Sequence, residues 1–132
     1  MITIPVSFGE LVDKLTILEL KKRYIKNENQ LKNINYEYDL LEKCYREEAL
    51  THDMSIKRDI LAIKYNLSEI NAGLWRLEDQ IRHKEKLQQF DPQFMKTARS
   101  VYLNNDVRAK LKRNLNDLVG SDVVEEKSYE KY

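Results

Sequence analysis

The 132 residues amount to one domain with room for a real core. Their composition, 34% charged and 42% apolar with three glycines and two prolines, favours long exposed helices over turn-rich sheets. Twenty-three basic and 22 acidic residues leave a net charge of +1, without the basic excess of a general nucleic-acid binder. The single Cys44 can close no internal disulfide, the start Met1–Pro5 lacks a signal-peptide pattern, and no apolar run reaches membrane-span length, so a cytoplasmic protein without membrane contact is expected.

Ser7 followed by Glu10 reads as a capping box that opens a first helix just after Pro5. Ile17, Leu20, Tyr24, Leu31, Ile34, Tyr38, Leu41 and Tyr45 then recur at spacings of three and four, an apolar stripe on one helix face in which Asn27 fills one slot. Asn27 and Asn29 are the places where this helix can kink or break. Thr51–Ser55 offers several cap residues and turns the chain. A second helix carries Ile56, Ile60, Ile63, Leu67, Ile70, Leu74, Leu77 and Ile81, a heptad-like seam over about 30 residues, or roughly 45 Å of helix. These two helices are expected to pack as an antiparallel hairpin.

Asp91-Pro92 starts a third helix, and Gly120 stops it after Val119. A break near Asn104-Asn105 is an alternative, since either Asn can cap a new helix. The expected fold is therefore all-α: a single domain, 1–132, made of a long antiparallel helical hairpin plus a third helix. The tail from Ser121 to Tyr132 has no period of its own. Val123, Val124, Tyr129 and Tyr132 allow it to fold back on the bundle; its acidic residues equally suit disorder.

Polar residues interrupt the regular seams. On the second helix Asn71, Trp75, Glu78, Arg82 and Glu85 form a stripe beside Ile70, Leu74, Leu77 and Ile81, with Asp79 one turn after Trp75. Gly73 lies in the same region; Gly costs a helix about 1 kcal/mol relative to Ala, which suggests that another backbone or a ligand approaches closely. The third-helix seam reads Phe94, Ala98, Val101, Asn105, Arg108, Lys112, Leu115 and Val119, apolar at its ends and polar or cationic in the middle. Arg99, Tyr102 and Asp106 lie alongside. If the third helix packs on the second, Arg108 and Lys112 face Trp75, Glu78 and Arg82 near the interior.

Two explanations compete for this cluster. In one, Glu78 and Asp79 hold Arg99 or Arg108 in an internal ion-pair network that only sets helix register. In the other, the cluster is a pocket for a flat anionic ligand. Arg82, Arg99, Arg108 and Lys112 bind its phosphate or carboxylate, Trp75 or Tyr102 stacks on its ring, and Asn71 and Asn105 read polar edges. The cations outnumber the carboxylates in the set, which leans towards an anion. Other signals are weak. With two histidines and no Glu-x-x-His pair a metal site has little support, so neither metal nor cofactor is expected. Cys44 reads as an apolar filler, Ser7 and Ser100 lack a nucleophile motif, and the glycines are too scattered to cradle a phosphate.

The run Pro5-Val6-Ser7-Phe8-Gly9-Glu10-Leu11-Val12-Asp13-Lys14-Leu15-Thr16-Ile17-Leu18-Glu19-Leu20-Lys21 resembles the opening of a family of bacterial and phage proteins, domain of unknown function 6165. The likeness continues through Asn71-x-x-Leu74-Trp75-x-x-Glu78-Asp79-x-Ile81-Arg82, Phe90-Asp91-x-x-Phe94 and Ala98-Arg99-Ser100-Val101-Tyr102. It extends over Asn105-Asp106-x-Arg108-Ala109, Lys112-Arg113, Gly120-Ser121 and Val124–Tyr129, and so covers nearly the whole chain. The second-helix motif is also similar to a Leu-Trp-x-x-Glu-Asp segment of another helical family. Members of both occur among genes for surface polysaccharide, an association that implies a sugar-phosphate or nucleotide-sugar ligand. The resemblance adds Asp13, Lys14, Thr16, Glu19, Lys127, Ser128 and Tyr129 to the candidates and implies an ordered tail. A phage origin would place the protein in the host cytoplasm.

The expectation is thus a small-molecule-binding, sequestering helical protein for an anionic, nucleotide- or sugar-phosphate-like ligand, with Asn71, Trp75, Glu78, Asp79, Arg82, Arg99, Tyr102, Asn105, Arg108 and Lys112 at the site. One alternative is an enzyme on the same ligand class using Glu78 or Asp79. Another is an interaction protein whose long seams form a helical oligomer. A homo-oligomer fits all three, because helices this long expose more apolar stripe than three of them readily cover.

Overall fold

The computed structural model describes residues Met1–Tyr132 as four helices and no strand: α1 (Phe8–Tyr24), α2 (Glu28–Ala49), α3 (Met54–Lys86) and α4 (Pro92–Val119). No helix is long and apolar enough to cross a membrane. The stripe that reads as one long first helix is two. Ile25 turns the chain into extended backbone, and Asn27 caps α2 by accepting from the Gln30 amide at 3.0 Å. Asp53 and Asp91 cap α3 and α4 in the same way, Pro92 takes the first turn of α4, and Gly120 closes it in the left-handed conformation at φ 66°. Helix α4 runs unbroken through Asn104-Asn105; Asn104 Nδ2 donates back to the Ser100 carbonyl instead of capping a new helix.

The long antiparallel hairpin is made by α3 and α4, the most extensive helix pair, and not by the first two helices of the chain. The start of α3 at Asp59, Ala62 and Ile63 lies beside the end of α4 at Asn114, Asp117 and Leu118. Helix α1 folds back on α2, with Phe8 stacked on Tyr45 at 6.1 Å and Tyr38 hydrogen-bonded to Glu19, and its other sides meet α3 and α4. Being central, α1 is buried nearly all round. Leu11, Val12, Leu15, Leu18 and Leu20 are all inside, whereas Tyr24 from the expected stripe is exposed and Ile17 only half-buried.

The core gathers Phe8, Leu11, Val12, Leu15, Tyr45, Ile60, Leu67 and Leu115. Each fully buried aliphatic side chain there contributes about 1.5–3 kcal/mol by leaving water. Ile60, Leu67 and Leu74 keep the heptad-like spacing of the α3 seam, but its fourth buried residue is Asn71. That polar residue at a core position begins the candidate site.

Candidate functional site

The site grows from the approach of α1 to α4. Every early amide of α1 has a partner: Phe8 donates to Ser121 Oγ, Gly9 to Asn116 Oδ1 at 2.7 Å, Glu10 to Ser7 Oγ and Leu11 to the Ser7 carbonyl. The capping box is half made, because the Glu10 carboxylate turns to Lys14 and Lys112 instead of reaching back. Gly9 lets the helices touch: a Cβ there would lie 2.3 Å from the Lys112 carbonyl oxygen. At Gly73, where another backbone or a ligand is expected to approach, no other backbone does: a Cβ there would meet only the Arg76 guanidinium at 3.9 Å. The tight glycine is on α1.

One turn further along α1, Asp13 is completely buried. Asn71 Nδ2 donates to Asp13 Oδ1 and to Thr16 Oγ1, each at 2.8 Å, while Thr16 donates to the Asp13 carbonyl. Arg108 completes the group from α4, its Nε on Oδ1 at 3.0 Å and its Nη2 on Oδ2. This two-pronged grip raises the Arg108 pKa further above its ordinary value. Three helices are thereby tied at one carboxylate.

Lys112, one turn from Arg108, meets three carboxylates: Glu10 at 2.6 Å, Glu125 at 3.2 Å and Asp13 at 3.9 Å. Burial works against its ammonium, but the hydrogen bond and charge of Glu10, with help from Glu125 and Asp13, outweigh it and hold the pKa above the ordinary lysine value. Glu125 also accepts a hydrogen bond from Ser7 Oγ. Burial alone would raise its pKa; the bonds from Ser7 and Lys112 win and hold it below 4.5. Arg113 pairs with Glu126 at 3.1 Å. Further on, Tyr132 donates to Asp106 and sets its ring edge-on to Tyr102 at 5.5 Å. The tail is thus laid along α4 and fastened at both ends.

Between tail and helix lies a groove of about 630 Å³, within the range of small-molecule sites. Val101, Tyr102, Asn105, Asp106, Arg108, Ala109 and Lys112 line it from α4, and Lys127, Tyr129, Glu130 and Tyr132 from the tail. Lys127 forms no ion pair and lies 5.7 Å from the Tyr129 ring centre. Arg108 keeps part of its guanidinium open, with only a long 3.4 Å contact from Nη1 to Asn105.

The expected site residues fall into two groups. Tyr102, Asn105, Arg108 and Lys112 line the groove, and Arg99 stands next to them with Nε on the Tyr102 hydroxyl at 3.4 Å. Asn71 lies behind, reached through Asp13. Trp75, Glu78, Asp79 and Arg82 do not line it. Trp75 stacks on Tyr24 at 5.3 Å, and Glu78 pairs with Arg82 on the surface of its own helix. Arg108 and Lys112 therefore do not face Trp75, Glu78 and Arg82, nor do Glu78 and Asp79 hold Arg99 or Arg108; α1 lies against α4 and its carboxylates take the cations.

Glu10, Asn116, Glu125, Glu130 and Tyr132 are not among the expected site residues. Residue type and helical spacing do not show which carboxylate from another helix a cation will meet. Asp13, Thr16, Lys127 and Tyr129 came from the family likeness alone. Arg108 and Lys112, both half-buried, stand against Glu10, Asp13 and Glu125, so their share of the apparent cation surplus is cancelled within the fold.

A family model matches residues 2–132, nearly the whole chain; its description is a family of unknown function, DUF6165. No curated protein and no solved structure matches.

Proposed function

The chain belongs to this family of unknown function, and we propose that its tail-covered groove binds an anionic small molecule carrying a flat ring. One observation carries the reading: Lys127, unpaired, and the open edge of Arg108 meet Tyr102, Tyr129 and Tyr132 around one cavity. Ammonium and guanidinium recognise a carboxylate or phosphate oxygen, tyrosine faces take a ring, and the Asn105 amide reads polar edges. Ground-state binding is the role these groups support. Glu78 and Asp79, the carboxylates of the enzymatic alternative, do not line the groove.

The test is native mass spectrometry of freshly purified protein, then a denaturing run, with thermal shift against a panel of ring-bearing carboxylates, cyclic and linear nucleotides, and sugar phosphates as controls without a flat ring. An adduct lost on denaturation, or a shift abolished by Lys127→Ala, supports the reading. Neither adduct nor shift across the panel sinks it. The native mass also reads the proposed homo-oligomer, which the exposed Leu61 and Tyr65 of α3 support.

A second reading, a purely structural network, is favoured by the full pairing of Lys112 and the two-pronged hold on Arg108. It predicts that Lys127→Ala and Tyr129→Ala leave every small-molecule response unchanged.

A further inference from the structure

Charge in the groove is arranged unevenly, and this bears on the ligand. Lys112 is engaged by three carboxylates, and Arg108 has two of its nitrogens on Asp13. Lys127 is the one cation of the lining within ion-pair distance of no carboxylate, although its charge reaches Glu125. Two carboxylates share the lining with it, one from each side. Asp106, on α4, accepts the Tyr132 hydroxyl and has no cation; Glu130, on the tail, has neither.

Resting on the binding reading above, we infer that the groove selects ligands with a single negative charge, and that Asp106 and Glu130 are the residues that reject more highly charged ones. One anionic group is matched by Lys127 and the open edge of Arg108. A second finds no further unpaired cation among the lining residues, which include both carboxylates; Arg99, beside Tyr102, stands outside the lining. These carboxylates are also acceptors, so hydroxyl or amino groups on the ligand are favoured. Ring-bearing carboxylates and phosphodiesters have the matching charge; polyphosphates do not. Like charges about 7 Å apart at a wet protein surface change binding roughly fourfold for each added charge.

Cyclic AMP, AMP, ADP and ATP share a ring and a ribose while their charge climbs from one to about four, so they serve as probes in metal-free buffer at constant ionic strength, titrated into the full-length protein by calorimetry. Affinity is expected to fall about fourfold per step, and Glu130→Gln, whose side chain holds nothing else in place, to make each step smaller. Affinity that is flat or rises towards ATP overturns the charge inference and leaves the binding reading standing. A ladder unchanged in both Glu130→Gln and Asp106→Asn overturns the assigned role of the two carboxylates. If none of the four binds, the ligand found by native mass spectrometry or thermal shift decides: a singly charged one upholds the inference and a multiply charged one ends it. Neither adduct nor shift removes the binding reading and this inference together.

Discussion

Arg108 grips Asp13 across 95 residues of chain, using both prongs of its guanidinium on a carboxylate with no exposed surface. Removing one partner of such a pair leaves the other charge stranded. Arg108→Ala is expected to cost about 3 kcal/mol of folding free energy, measured by urea denaturation. Arg108→Lys should recover only part of it, because an ammonium cannot reproduce the fork. A loss below about 1 kcal/mol in Arg108→Ala would show that water relieves Asp13 and that the grip is not structural.

The two helical glycines respond with opposite sign. Gly9→Ala forces a Cβ to 2.3 Å from the Lys112 carbonyl and is expected to destabilise by about 2 kcal/mol or more, since backbone must move. Gly73→Ala has only a flexible guanidinium at 3.9 Å and should stabilise by up to about 1 kcal/mol through helix propensity. Equal shifts in melting temperature for the two variants would refute the close approach at Gly9.

Acid should undock the tail. Glu125 has its folded pKa held below 4.5, so its contribution is fully present above that value and is lost as pH falls through the lower folded one. Backbone amide order parameters of residues 121–132, followed by NMR relaxation from pH 6 to about pH 3, are expected to fall at the acid end. Glu125→Gln should show low values throughout. A wild-type tail equally rigid at pH 3 would contradict the role of Glu125.

Trp75 and Tyr102 separate by function. Trp75 stacks on Tyr24 outside the groove, whereas Tyr102 lines it. Trp75→Phe should therefore leave the affinity of any groove ligand within about twofold, and Tyr102→Ala should weaken it about tenfold, the scale of one ring contact. A tenfold loss in Trp75→Phe would place the site on α3 instead.

Much of the fold was legible. Local rules mark most helix ends: Asp53 within the Thr51–Ser55 turn, Asp91 as a cap, Pro92 in the first turn and Gly120 as the stop; the cap at Asn27 read only as a slot or kink in one stripe. The α4 half of the groove was also legible, because Arg108 and Lys112 interrupt an apolar seam. What misled was the assumption that polar stripes on two adjacent helices face each other. Trp75, Glu78 and Arg82 belong to the side of α3 that turns to Tyr24 and to solvent.

Sequence by itself determined four things: the all-α class, the start of α3 with both ends of α4, the polar residues in their seams and membership of the family. These rest on interactions within a few residues, or on residue order itself. Only the tertiary structure decided which charges meet. Asp13 to Arg108 and Glu10 and Glu125 to Lys112 are pairings between elements far apart in the chain. Coulombic partners are chosen by how packed helices cross, and the crossing of α1 against α4 turns on a missing Cβ at Gly9 that no periodicity announces.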